Sequence, residues 1–121
     1  EIELLSRLEV LLLENNQLPS IPSSVYSQGI KELRVSGNLL PVLPGLVGQL
    51  AEVRILHLSR NHIGQLSVGQ LPAEIGCCQK LQELFIDSNE IVDLPLELGL
   101  LTNLETLRLD IPKLKSPPQE I

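Results

Sequence analysis

The sequence predicts an α/β solenoid, in which short repeats wind one upon another with a parallel sheet along one side and short helical or extended segments along the other. Three observations predict it. One pattern of apolar residues and an asparagine recurs at intervals of 22, 23, 28 and 23 residues. Within each copy the residues around the second and third apolar positions alternate apolar and polar, the period of a strand with one buried face. Aromatics are only 2% of the 121 residues against 43% apolar, so Leu, Ile and Val must fill the core in small, similar layers.

The copies justify the elements in order. The first runs through Leu8, Leu11, Leu13, Asn16 and Leu18, then Ile21 and Pro22. A second follows through Ile30, Leu33, Val35, Asn38 and Leu40, then Leu43 and Pro44. Val53, Leu56, Leu58, Asn61 and Ile63 make the third, and Leu81, Leu84, Ile86, Asn89 and Ile91 the fourth, continued by Leu94, Pro95, Leu98 and Leu101. A fifth begins with Leu104, Leu107 and Leu109. Stacked strands of this kind form a parallel sheet. The asparagine falls where the chain turns inward, and its amide can satisfy backbone groups of adjacent turns that no regular ladder reaches. The pairs Leu18-Pro19, Leu43-Pro44, Leu71-Pro72 and Leu94-Pro95 favour an extended or turn conformation before a return of short helical turns.

Two departures stand out. The third repeat is about five residues long relative to its neighbours, and the excess is placed in Ser67 to Gln70 and its flanks, with Leu66 at the usual apolar position and Leu71-Pro72-Ala73-Glu74-Ile75 resuming the return. Such an insertion is expected to bulge as a loop, either a further contact surface or a tolerated irregularity. In the fifth copy Pro112 stands where Asn is expected, while Leu114 and Pro117 to Ile121 resemble the usual return. Ile2, Leu5 and Leu8 fit the tail of a preceding repeat, so residues 1–121 read as a single repeat domain, with copies starting near 8, 30, 53, 81 and 104, cut from a longer protein.

These residues resemble the leucine-rich-repeat family, L-x-x-L-x-L-x-x-N-x-L followed by x-x-L-P-x-x-I-x-x-L, over almost the whole chain. The Leu-Pro-containing return is similar to the short intracellular class found in Ras-group scaffolds and in targeting domains of signalling proteins. The resemblance implies a curved right-handed solenoid with the parallel sheet on its concave face and short 3-10, helical or extended segments on its convex face.

On such a solenoid the outward strand positions line up in rows across the concave face. The central row is Leu12, Arg34, His57, Phe85 and Arg108. Val10, Glu32, Ile55, Glu83 and Thr106 flank it on one side, and Glu14, Ser36, Ser59, Asp87 and Asp110 on the other. An apolar and basic line beside partly acidic ones suits a protein partner, because aromatic and arginine anchors dominate interface energies. Phe85 is the leading anchor, set against the alternative that the curvature of the sheet partly buries it. Arg34, His57, Arg108, Leu12, Glu83, Asp87 and Glu32 complete the expected protein-binding set.

Other chemistry is disfavoured. A net charge of −6, from 9 basic and 15 acidic residues, repels phosphate backbones and anionic lipid surfaces. The longest uninterrupted apolar run, Val10 to Leu13, is far short of the roughly 20 residues needed to span a bilayer. His57 and His62 are read as surface histidines pointing in different directions, without a carboxylate or thiol at ligand spacing. Cys78 falls at a leucine position and is expected to be a small buried hydrophobe, with Cys77 outward and only Lys80 near enough to activate a thiolate. Neither a nucleophile elbow nor a phosphate-cradling glycine loop occurs. Adjacent cysteines cannot form the usual loop-closing bridge, and no Asn-x-Ser/Thr acceptor is present, which together point to a reducing, cytoplasmic setting. The sequence therefore predicts a non-catalytic scaffold that binds a protein through its concave face, with no cofactor, metal, nucleic acid, membrane insertion or small-molecule substrate. The alternatives are the targeting domain of a larger signalling enzyme (a kinase, GTPase, phosphatase or ubiquitin ligase) and a structural component of a large assembly.

Overall fold

Each repeat opens with a three-residue strand because its middle leucine must face inward while both neighbours face out. In the computed structural model, which describes residues 8–67 and 69–110, these strands are β1 (Val10–Leu12), β2 (Glu32–Arg34), β3 (Ile55–His57), β4 (Glu83–Phe85) and β5 (Thr106–Arg108). They form one parallel sheet in the order β1-β2-β3-β4-β5. The register pairs Leu11, Leu33, Leu56, Leu84 and Leu107 in succession. Of these, Leu33, Leu56 and Leu84 are fully buried, whereas Leu11 and Leu107 lie partly exposed in the outer layers.

The core is a set of columns that repeat the same rule. Ile30, Val53 and Leu81 stack ahead of the strands, and Val35, Leu58 and Ile86 stack after them, all essentially without exposure. Val25, Val47, Ile75 and Leu98 form a further column inside the return turns. Cys78 occupies a column otherwise built from Leu50 and Leu101, and its thiol donates to the Val47 carbonyl at 3.3 Å. Burial pushes that thiol up to about 11, as expected of a cysteine used as a hydrophobe.

Four 3-10 turns carry the chain back: Ser23–Ser27, Gly45–Gln49, Ala73–Cys77 and Leu96–Leu100. A proline precedes each, and the carbonyls of Pro22, Pro44, Pro72 and Pro95 accept from Val25, Val47, Ile75 and Leu98. Proline suits this place because its fixed φ leads into the turn and its missing N–H would have no partner there. In the first repeat the proline that starts the turn is Pro22, not the Pro19 of the expected Leu-Pro pair.

Asparagine makes the rungs between layers. Asn61 Nδ2 donates to the carbonyls of Val35, Leu58 and Ser59, and its Oδ1 accepts from Leu40 N at 3.1 Å. Asn38 and Asn89 do the same one layer before and after, with Oδ1 accepting from Leu18 N and Ile63 N. The residue before each asparagine adopts the left-handed conformation, with φ of 58° at Asn15, 74° at Gly37, 55° at Arg60 and 58° at Ser88. Gly37 is glycine for a specific reason: a β-carbon there would lie 2.0 Å from Asn15 Oδ1, which also accepts from Arg60 Nη1 across two layers.

The long repeat does not throw out a free bulge. Gly69 N bonds back to Gly64 O at 2.8 Å, and Gly69 O accepts from Val92 N and Asp93 N of the next repeat. Gln70 and Asp93 form an isolated parallel bridge. Leu66, expected inside, is 70% exposed, because the extra turn is fastened through its backbone to Pro41 O and carries the side chain outward. The sequence features at Ile2, Leu5, Val68, Pro112, Leu114 and 117–121 lie outside the described residues. No helix among the described residues is long and apolar enough to cross a membrane.

Candidate protein-binding face

The register sets the outward rows of the sheet side by side. Leu12, Arg34, His57, Phe85 and Arg108 are consecutive partners across the five strands, and Val10, Glu32, Ile55, Glu83 and Thr106 form the row beside them. Adjacent strands lie about 4.8 Å apart, so flat side chains in one row come within stacking distance of each other.

That proximity produces a cluster on β3, β4 and β5. The His57 and Phe85 rings stack with centroids 3.9 Å apart and planes 2° from parallel. Arg108 places its guanidinium carbon 4.3 Å from the Phe85 ring centre on a cation–π contact. Phe85 is thus held between an imidazole and a guanidinium, half-buried instead of standing free in solvent. His57 Nε2 and Glu83 Oε1 share a hydrogen bond at 2.5 Å.

His57 corrects the expectation of a surface histidine: it is 6% exposed. The single-layer row geometry buries it, with Phe85 covering its face and Glu83 its edge. His62 is exposed and lies in the turn beyond Asn61. Among the described residues, no group of three or more His, Cys, Asp or Glu side chains is arranged to hold a metal ion.

The third row also differs from an exposed line of polar residues. Ser36 and Ser59 are 5% and 6% exposed. Ser36 Oγ accepts from Ser59 N, and Ser59 Oγ donates to Asp87 Oδ1 at 2.6 Å. Small hydroxyls fit where the row turns toward the asparagine rungs, and the hydrogen bonds offset their burial. Asp110 continues the line, accepting from Ser88 N at 2.6 Å and Asn89 N at 3.4 Å. In the first layer the corresponding Asn16 N donates to Asn38 Oδ1 of the second. Asp110 Oδ2 thus takes the Asn89 N–H as Asn38 Oδ1 takes that of Asn16.

Charges on this face are largely engaged with one another. Arg34 Nε pairs with Glu32 Oε2 in a short contact, both side chains being partly exposed. Glu83 is bound to His57 and Asp87 to Ser59. Leu12 and Val10, by contrast, are 59% and 48% exposed at the β1 end. Across the sheet the face runs from an open aliphatic end to a rigid aromatic and arginine cluster. The spacing of the sequence set the two outward rows of the strands, but not the burial of Ser36 and Ser59 in the third or the hydrogen bonds tying rows together, for which neighbouring Ser36, Ser59 and Asp87 at matched offsets were the available signal.

A scan against protein-family models found no match. Individual proteins do match. The chain is 37% identical over 115 residues to the plant intracellular Ras-group-related LRR protein 8 of Oryza sativa subsp. japonica, covering 93% of this chain and 30% of that protein. It is 34% identical over 104 residues to the adenylate cyclase of Schizosaccharomyces pombe, covering 84% of this chain and 6% of the cyclase. The mouse leucine-rich repeat serine/threonine-protein kinase 1 is 40% identical over 67 residues, covering 54% of this chain and 3% of the kinase. The chain thus spans less than a third of these relatives. Among solved structures, a Leptospira interrogans LRR protein superposes with a TM-score of 0.62 at 26% identity over 86% of this chain and 33% of that one. The leucine-rich repeat domain of APL1B gives 0.72 at 24% identity over 84% of this chain and 30% of its own, a likeness of fold. With the repeat, the parallel sheet and the asparagine rungs in agreement with these comparisons, the chain belongs to the leucine-rich-repeat family.

Proposed function

We propose that this segment is a non-catalytic scaffold that binds a protein partner through its concave face, with Phe85, Arg34, Arg108, Leu12, Glu83, Asp87 and Glu32 as the contact set and His57 as the buried support of Phe85. The observation that carries this reading is the stacked His57–Phe85–Arg108 cluster. It holds an aromatic and an arginine in one fixed geometry, so little side-chain entropy is lost when a partner covers them, and such anchors contribute most to interface energies. Exposed Leu12 and Val10 at the other end add apolar area. The cytoplasm is the setting proposed, in keeping with two free cysteines and with the intracellular class named for the rice relative.

The same segment serves equally as the targeting domain of a larger enzyme, and a specific observation favours that second reading. Matches to a cyclase and a kinase cover 6% and 3% of those proteins, so related repeats occur there as small parts of long chains. Affinity capture from lysate with wild type and with the Phe85→Ala/Arg34→Ala double variant, read by mass spectrometry, tests the proposal. A protein captured by wild type and lost with the variant supports concave-face binding; identical captures contradict it.

A further inference from the structure

The three rows of the sheet face are unequal in charge. They carry the carboxylates of Glu14, Glu32, Glu83, Asp87 and Asp110 against the guanidiniums of Arg34 and Arg108. The face is therefore acidic on balance, in a chain whose net charge is already −6. Such a surface draws in a basic partner and repels an acidic one.

The carboxylates nearest the aromatic cluster are each held by one oxygen. Glu83 Oε1 bonds to His57 Nε2, and Asp87 Oδ1 accepts from the Ser59 hydroxyl. A carboxylate can accept at both oxygens, and among the described residues Oε2 of Glu83 and Oδ2 of Asp87 have no hydrogen bond. Both residues are partly exposed. The bonded oxygen fixes each group in place, so a donor arriving from outside meets an acceptor with little rotamer freedom left to lose. The hydroxyl that holds Asp87 is neutral, so it leaves the charge of that carboxylate uncompensated. Glu32, by contrast, already shares its charge with Arg34.

Glu83 and Asp87 stand two residues before and two after Phe85, at most about 13 Å apart along extended chain. The half-buried ring of Phe85 thus lies between two open acceptors. Long basic side chains suit this arrangement, because their methylene stems can rest on an apolar surface while the charged heads reach past it.

Resting on the concave-face reading above, we infer that the partner offers a basic protein segment. Its Lys or Arg side chains take the open oxygens of Glu83 and Asp87, and an apolar side chain between them covers Phe85. The aromatic cluster supplies the anchor, and the two carboxylates select the sign of the charge beside it.

The probe is a phage-displayed library of random peptides about twelve residues long, selected on the full chain, with only those peptides kept that fail to bind Phe85→Ala/Arg34→Ala. Synthetic copies are then titrated into wild type and into Glu83→Gln/Asp87→Asn, whose amides keep the shape and an oxygen at both positions. Peptides with Lys or Arg around an apolar residue are expected. Their affinity should fall roughly two- to fivefold per carboxylate lost, the range of exposed ion pairs, and fall again between about 50 and about 300 mM NaCl. Replacing the peptide's own Lys or Arg by norleucine should weaken binding to wild type and have little effect on binding to the variant, a coupling that damage to the fold would not produce. Peptides that need Phe85 but are neutral or acidic, or that bind Glu83→Gln/Asp87→Asn as tightly as wild type, overturn the inference and leave the concave-face reading standing. A selection yielding no peptide dependent on Phe85 and Arg34 overturns both.

Discussion

Single residues in this molecule act as connectors between layers, and their replacement tests that role. Asn61 serves four backbone groups from three segments, so Asn61→Ala should cost on the order of 3 kcal/mol in urea unfolding, with several buried groups orphaned at once. Gly37→Ala should cost at least about 1 kcal/mol, because the left-handed φ and the close Asn15 side chain both oppose a β-carbon. Tyr26 gives a pH prediction. Burial raises its phenol to about 12 from 10, so the folded state holds its proton more tightly than the unfolded chain does. Its contribution is fully present below pH 10 and is lost as pH rises through 12, a fall of about 2 kcal/mol between pH 9 and pH 12 measurable by denaturant unfolding. The two cysteines should separate chemically in the native protein: iodoacetamide modifies exposed Cys77, while buried Cys78, raised to about 11, reacts only after unfolding. Equal labelling of both would contradict the column assigned to Cys78.

At the scale of elements, the strand is the unit that separates the core from the proposed binding face. Leu84 and Phe85 are neighbours on β4 with opposite duties, one fully buried and the other half-buried against His57 and Arg108. Leu84→Ala should cost about 2 to 5 kcal/mol, the range for a buried leucine, and Phe85→Ala distinctly less. Equal losses would mean that the faces are misassigned. Strand positions and register were legible beforehand because the period of two leaves only one way to bury Leu33, Leu56 and Leu84. What happens between strands was less legible. The burial of His57 depends on ring stacking across neighbouring strands, a contact between residues 28 apart in sequence that no local pattern encodes. The outward Leu66 escaped for a similar reason: the inserted turn is held by backbone bonds to Pro41, Val92 and Asp93, and backbone bonding is blind to the side chain it carries. That Tyr26 stands where the later return turns have Gly48, Gly76 and Gly99 is legible from aligning the turns alone.

For the whole molecule, the solenoid explains why so few aromatics suffice. Each layer buries its leucines against only the layers beside it, so stability accumulates by repetition and the sheet stays open to a partner along its full width. The same one-dimensional order gives the concave face a direction, from exposed Leu12 on β1 to the Phe85–Arg108 cluster on β4 and β5. A partner that lies along this axis crosses four strand spacings of about 4.8 Å each, a span of about six residues of extended chain. The most direct test of this account is amide hydrogen exchange of the segment with and without the partner recovered by affinity capture. Protection centred on β1 to β5, residues 10–12, 32–34, 55–57, 83–85 and 106–108, is the predicted result. Protection confined to the return turns or to the inserted turn at 64–70, with the strands unchanged, would contradict binding by the concave face.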